Sequence, residues 1–148
     1  MKRNQKSSNS IKVYSRGVLD KNLKIKNAAW AFVIIKDGIE YVVSEKTFDS
    51  NEINIEIRAL NHALDNLLEK ELNNRKIDIY IFNYELLNII KMLRVLEINK
   101  LKMSFTSKNS NAILKLKRLL SFFSDVSFFF KIDPDERLEL ILKRTIRM

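Results

Sequence analysis

The stretch NEINIEIRALNHALDNLLE, residues 51–69, constrains the fold more than any other part of the chain. Ile53, Ile57, Leu60, Leu64, Leu67 and Leu68 recur at steps of three and four residues, which puts them on one stripe of a helix. Ser50 or Asn51 can cap its amino end, and Glu52 stands in the electropositive first turn. An apolar stripe of this length has to be buried against another layer. Glu56 flanks the stripe on the second turn, one helical step before Leu60, which predicts a carboxylate held over the edge of a sheet.

Strands that can form such a sheet lie on both sides of the helix. Residues 11–19 alternate partly, through Ile11, Val13, Val18 and Leu19. AAWAFVII, residues 28–35, is a near-continuous apolar run of strand length, as expected for a strand buried on both faces. Lys36-Asp37-Gly38 carries the Asp-Gly hairpin signal, and residues 39–48 form the returning strand. Beyond the helix, IDIYIF at 77–82 alternates strictly. A second helix is expected from Tyr84 to about Leu93, and the lysine-rich segment 94–105 is ambiguous. A third helix spans 109–123, with Ile113, Leu116, Leu119, Leu120 and Phe123 on one side. VSFFFKI at 126–132 is a fifth strand, where Phe128, Phe129 and Phe130 could stack bases but at strand spacing read as core packing. Asp133 then caps a last helix with Pro134 at its first position, and Leu138, Ile141, Leu142 and Ile146 form its apolar side. The order predicts an α/β domain: a mixed five-stranded sheet, three antiparallel strands and then parallel additions, flanked by helices. One domain is expected over residues 11–148, preceded by a disordered basic tail at 1–10.

Composition narrows the chemistry. The chain has no Cys and one His, His62, which excludes disulfides, thiolate metal sites and multi-His metal sites. His62 lies six residues after Glu56, on another face, and is expected to pack or face solvent. No apolar run approaches the roughly 18 residues of a membrane span, and no apolar stretch follows Met1 as in a secretory signal. A cytoplasmic or nuclear protein, not secreted and without a membrane partner, is expected. The net charge of +9 favours an anionic partner, nucleic acid first. Residues 1–26 and 91–118 each carry eight Lys or Arg against a single acid. Within the second segment Lys91, Arg94, Lys100, Lys102 and Lys108 are the candidate phosphate contacts, of the kind that give affinity without sequence preference, and a solvated helix face is the alternative.

Five short segments carry a resemblance. IKVYSRG at 11–17 resembles a first strand ending in a Ser or Thr, an acid and a Gly, with Gly17 in the place of that Gly. Trp30 to Val33 is similar to a second strand before a hairpin. Asn54-Ile55-Glu56, with Ala59-Leu60 and Ala63-Leu64, resembles an N-x-x-E-x-x-A-x-x-x-A-L helix. IYIFNYEL at 79–86 resembles a fourth strand ending in an acid, and DERLELIL at 135–142 resembles a final helix bearing one. In this order and spacing the segments resemble the ribonuclease H-like superfamily, in particular its ribonuclease HI-type domains, over residues 11–148.

In that family four carboxylates hold two divalent cations about 4 Å apart, which activate a water and stabilise the leaving oxygen at an RNA phosphodiester. Carried over position by position, the resemblance keeps Glu56 on the central helix and Glu139 on the last helix, one methylene longer than the family's Asp. The first-strand acid falls on Arg16 and the fourth-strand acid on Asn83. Asp20 is the alternative first-strand acid if that strand is displaced, and Gly17 directly after Arg16 favours Arg16. Glu85 is a candidate substitute acid or a helix-end charge. The family's His before the last helix has no counterpart. Mg²⁺ and Mn²⁺ need anionic oxygens, and an arginine cannot lose its charge at such a centre. Arg16 is therefore expected to replace the metals as counter-charge for Glu56 and Glu139. The resemblance then implies a degenerate domain, without cofactor, that binds RNA, DNA or an RNA/DNA hybrid, or a protein partner in a nucleic-acid-processing assembly. An active Mg²⁺- or Mn²⁺-dependent endonuclease with an altered acid set, and a purely structural subunit of a larger complex, are the alternatives.

Overall fold

The computed structural model describes residues 9–20, 27–48, 51–94 and 107–147, the side chains of 107–110 excepted. Nearly all of the expected tail, Lys100, Lys102 and the side chain of Lys108 lie outside the described residues. Five strands, β1 (Ile11–Asp20), β2 (Asn27–Lys36), β3 (Ile39–Phe48), β4 (Lys76–Ile81) and β5 (Asp125–Phe130), form one sheet in the order β3-β2-β1-β4-β5. β2 pairs antiparallel with both β1 and β3, and β4 and β5 are added in parallel to β1. The described helices are α1 (Glu52–Glu69), α2 (Tyr84–Leu93), α3 (Ser107–Leu120) and α4 (Glu136–Arg147). The sheet is the mixed five-stranded sheet that the element order predicts.

Local chemistry explains the boundaries. Asp37 and Gly38 both have positive φ, 54° and 78°, and form the two-residue loop of the β2–β3 hairpin, whose twist such residues match. Asn51 caps α1: its side-chain oxygen accepts from the backbone N–H groups of Ile53 at 3.1 Å and Asn54 at 3.3 Å. The last helix begins later than the Asp133-Pro134 signal predicts. Asp135 is the cap, its carboxylate accepting from Leu138 N–H at 2.9 Å, and Pro134 precedes it. β5 likewise stops at Phe130, and Ile132 is 85% exposed.

Two cores lie on the two faces of the sheet. On the inner face, Ile11, Val13, Trp30, Phe32, Ile77, Ile79 and Ile81 meet α1, α2 and α3. On the outer face, α4 sets Leu138 and Leu142 against Ala29, Ala31 and Val33 of β2. The expected burial of β2 on both faces follows from this, and the two alanines leave room for a helix backbone. α1 is buried over much more than its apolar stripe, since Ile55, Ala59, Asn61 and Ala63 are buried as well. The sheet covers one side and α3 another, where the Asn61 amide donates to the carbonyl of Ala112 at 3.1 Å.

α1 approaches the sheet closely at Gly17. A Cβ there would stand 2.6 Å from Ile55 Cγ2 and 2.7 and 2.8 Å from the carbonyl carbon and oxygen of Ile55. Two of these are backbone atoms that cannot rotate away. Gly17→Ala is expected to lower unfolding stability by about 3 kcal/mol, at the upper end of overpacking costs, in urea denaturation. An unchanged midpoint would refute this tight approach.

Candidate functional site

Gly17 brings α1 close enough for Glu56 to reach β1. Glu56 is fully buried, and both of its oxygens are used. One accepts the backbone N–H of Gly17 at 2.8 Å, and the other accepts from the Arg16 guanidinium at 2.9 Å. The same guanidinium donates through Nε to Glu139 of α4, also at 2.9 Å. Arg16 thus joins two acids from helices on opposite faces of the sheet. The Arg16 side chain is 21% exposed, that of Glu139 30% and that of Glu56 1%.

The electrostatics follow from this graded burial. Loss of solvation raises the Glu56 pKa to about 7, against the opposing pull of Arg16 and the Gly17 N–H. Burial acts to lower the pKa of Arg16, but Glu56 and Glu139 outweigh it and hold the guanidinium charged more firmly than usual. Taking the Glu56 carboxylate out of water therefore costs more than its two partners return.

Asn83 is committed to another task. Its side-chain oxygen accepts from Leu86 N–H at 3.0 Å and caps α2. Glu85 is exposed on the first turn of α2, and Asp20 closes β1 beyond Arg16, opposite Asn27. The donors do not suit a pair of hard cations: a permanent cation occupies the space between the remaining carboxylates, and Asn83 offers no charge. Among the described residues no group of three or more His, Cys, Asp or Glu side chains gathers as a metal-holding cluster.

Of the expected phosphate contacts, Lys91 and Arg94 are exposed at the end of α2. Arg94 also donates to the carbonyl of Val126 at 3.2 Å and lies over the ring of Phe128. Lys117 binds the carbonyl of Leu93 and so closes the carboxyl end of α2. His62 stacks on Trp30, with ring centroids 4.0 Å apart, and burial lowers its pKa. Phe128 packs on the inner core as expected, but Phe129 does not: it points to the other face and is 43% exposed. Alternation along β5 carries this signal, since Phe129 has the opposite parity to Phe128.

No protein-family model and no curated protein matches this sequence. Solved structures do. The ribonuclease H1 of the halophilic archaeon Halobacterium salinarum superposes with a TM-score of 0.65 at 16% identity, covering 93% of this chain and 98% of that one. The compost-derived LC11 ribonuclease H1, in complex with an RNA/DNA hybrid, gives 0.70 at 17% identity over 93% and 97%. The foamy viral protease–reverse transcriptase in complex with double-stranded DNA gives 0.71 at 10% identity over 93% and 94%. The chain has the ribonuclease H-like fold.

The burial of Glu56 makes stability depend on pH with a defined sign. The folded-state pKa of Glu56 lies above its ordinary value of 4.5, so its contribution falls as pH rises from about 4.5 through about 7. Arg16→Met leaves a buried carboxylate without its counter-charge. At pH 8 it is expected to cost about 3 kcal/mol, near the lower end for broken buried pairs because Arg16 is partly exposed. At pH 5, where Glu56 holds a proton in the native state, the loss should be clearly smaller. Urea titrations at the two pH values measure this, and an equal loss at both would refute it.

Proposed function

We propose that this chain is a ribonuclease H-like domain that binds nucleic acid without cleaving it. The observation that carries the reading is the Arg16 guanidinium, 2.9 Å from both Glu56 and Glu139. A two-metal phosphodiesterase needs anionic oxygens around its cations, to polarise the phosphate and lower the pKa of the attacking water. Here a fixed cation already neutralises the acids, and its position on β1 is held by ion pairs to α1 and α4. The metals are replaced by a structural salt link, and no cofactor is required.

Binding is supported by charge and by the structural neighbours. The chain carries +9, and Lys91 and Arg94 extend an exposed basic surface from α2. LC11 ribonuclease H1 is seen with an RNA/DNA hybrid and the foamy viral enzyme with double-stranded DNA. A basic face on this fold gives contacts to the phosphate backbone, which position a duplex and do not read its sequence.

Two measurements test this reading. With Mg²⁺ or Mn²⁺, an RNA/DNA hybrid should stay intact; metal-dependent cleavage that disappears in Glu56→Gln would overturn the proposal. Affinity for hybrid, RNA and DNA duplexes should fall linearly on a log–log plot against salt, and Lys91→Ala and Arg94→Ala should each reduce the slope by about 1. Absence of binding to all three duplexes at low salt would assign the basic surfaces to protein contacts instead.

A further inference from the structure

The outer face of the sheet is covered unevenly. α4 packs on β2, β3 and β1, while α1, α2 and α3 all contribute to the inner core. Tyr14, Tyr80 and Phe129 form one row across β1, β4 and β5, each directly opposite the next in the strand pairing. Their rings stack: Tyr14 on Tyr80 with centroids 4.7 Å apart and planes within 13°, and Tyr80 on Phe129 at 5.2 Å and 25°. The Lys131 ammonium lies over the same row, 5.8 Å from the Tyr14 ring and 5.7 Å from the Tyr80 ring.

Rings stacked from strand to strand turn their π faces along the row. β5 is the last strand of the sheet, so among the described residues no strand lies beyond Phe129 to cover its far face. A planar ring system of the same thickness can extend the stack there at the sheet's own strand spacing. The cations around the row are uncommitted: neither Lys131 nor the exposed Lys12, on the same face of β1, pairs with a carboxylate among the described residues. The nearby acids do have partners, Asp78 accepting from Ser10 at 2.7 Å and Asp135 capping α4. The row also lies on the same face of β1 as Arg16, two residues before it, so a strand laid along it leads to the Arg16 site.

We propose that Tyr14, Tyr80 and Phe129, with Lys131 and Lys12, form a platform for single-stranded nucleic acid, an unpaired base stacking on the open face of Phe129. This rests on the nucleic-acid-binding reading above and names the form of ligand that this face takes. Bases in a duplex are stacked on their neighbours, whereas an unpaired base offers its π face to an aromatic side chain whatever its identity. The free ammonium groups complement the phosphates of such a strand, whereas a neutral apolar peptide would leave them without a counter-charge.

The test uses the full chain and three probes: a short oligo-dT strand, a strand of the same length made of abasic residues, and a blunt RNA/DNA hybrid. The abasic strand keeps the phosphates and removes only the rings. Wild-type protein should bind oligo-dT about tenfold more tightly than the abasic strand. Phe129→Ala should abolish that preference and Phe129→Trp should keep it, with hybrid affinity unchanged in both variants. Hybrid affinity thus doubles as the control that each variant is folded. Equal wild-type affinity for the base-bearing and abasic strands, or a preference that survives Phe129→Ala, would overturn the platform while leaving hybrid binding intact. Failure of the wild type to bind any of the three probes would overturn both readings.

Discussion

The guanidinium of Arg16 reaches Glu56 of α1, on the inner side of the sheet, and Glu139 of α4, on the outer side. Three layers of the fold therefore meet in one charged contact. Its energetics are unfavourable in one respect: burial holds the Glu56 pKa near 7, so removal of the carboxylate from water outweighs the attraction that replaces it. A buried ion pair of this kind adds little to stability over well-packed apolar residues, yet removing one partner strands the other. What it supplies is position. Arg16 offers donors in a rigid planar fork, so Glu56 and Glu139 are each met along a defined direction.

That contact exists only because the backbone of α1 comes within van der Waals distance of β1. Gly17 permits the approach, and its own N–H takes the second oxygen of Glu56 at 2.8 Å. On the other face, Ala29 and Ala31 allow α4 to settle onto β2 and bring Glu139 to the sheet. Small residues on β1 and β2 thus set the heights of both helices over the sheet. A side chain at position 17 would lift α1 and with it the carboxylate. The Arg16 link and the packing are one constraint seen from two sides. The β5 end of the outer face obeys no such constraint: α4 packs on β2, β3 and β1, and Phe129 stays 43% exposed at the end of its aromatic row.

Much of this was legible in the residues. The 3.6-residue period of α1, the doubly apolar run of β2 and the Asp-Gly turn each specify their element through local physics, and each element formed where the pattern placed it. The opposition of Arg16 to Glu56 and Glu139 was expected only through resemblance to a known fold, since the three residues are separated by 40 and 123 positions. Other features carried no adequate local signal. The Asp133-Pro134 signal places the start of α4 too early: Asp135 caps the helix, whose Leu138 and Leu142 pack onto β2. Alternation separates Phe129 from Phe128 and Phe130 on β5, but it does not say which of the two faces is the inner one. The pleat sends Phe128 inward and Phe129 outward, and strand register then decides that Phe129 meets Tyr80.

The sequence by itself determined which segments are helix and strand, which side of each is apolar, that the chain is basic, and that Arg16 and Asn83 bring no anionic oxygen. These follow from side-chain chemistry and from periods of two and 3.6 residues. Only the tertiary structure decided that Arg16 clasps both acids, that the Asn83 side chain is occupied as a helix cap, and that Tyr14, Tyr80 and Phe129 line up in one stack. Each of these depends on strand order and register, which are fixed by the summed burial of two cores across residues far apart in the chain and not by any local pattern.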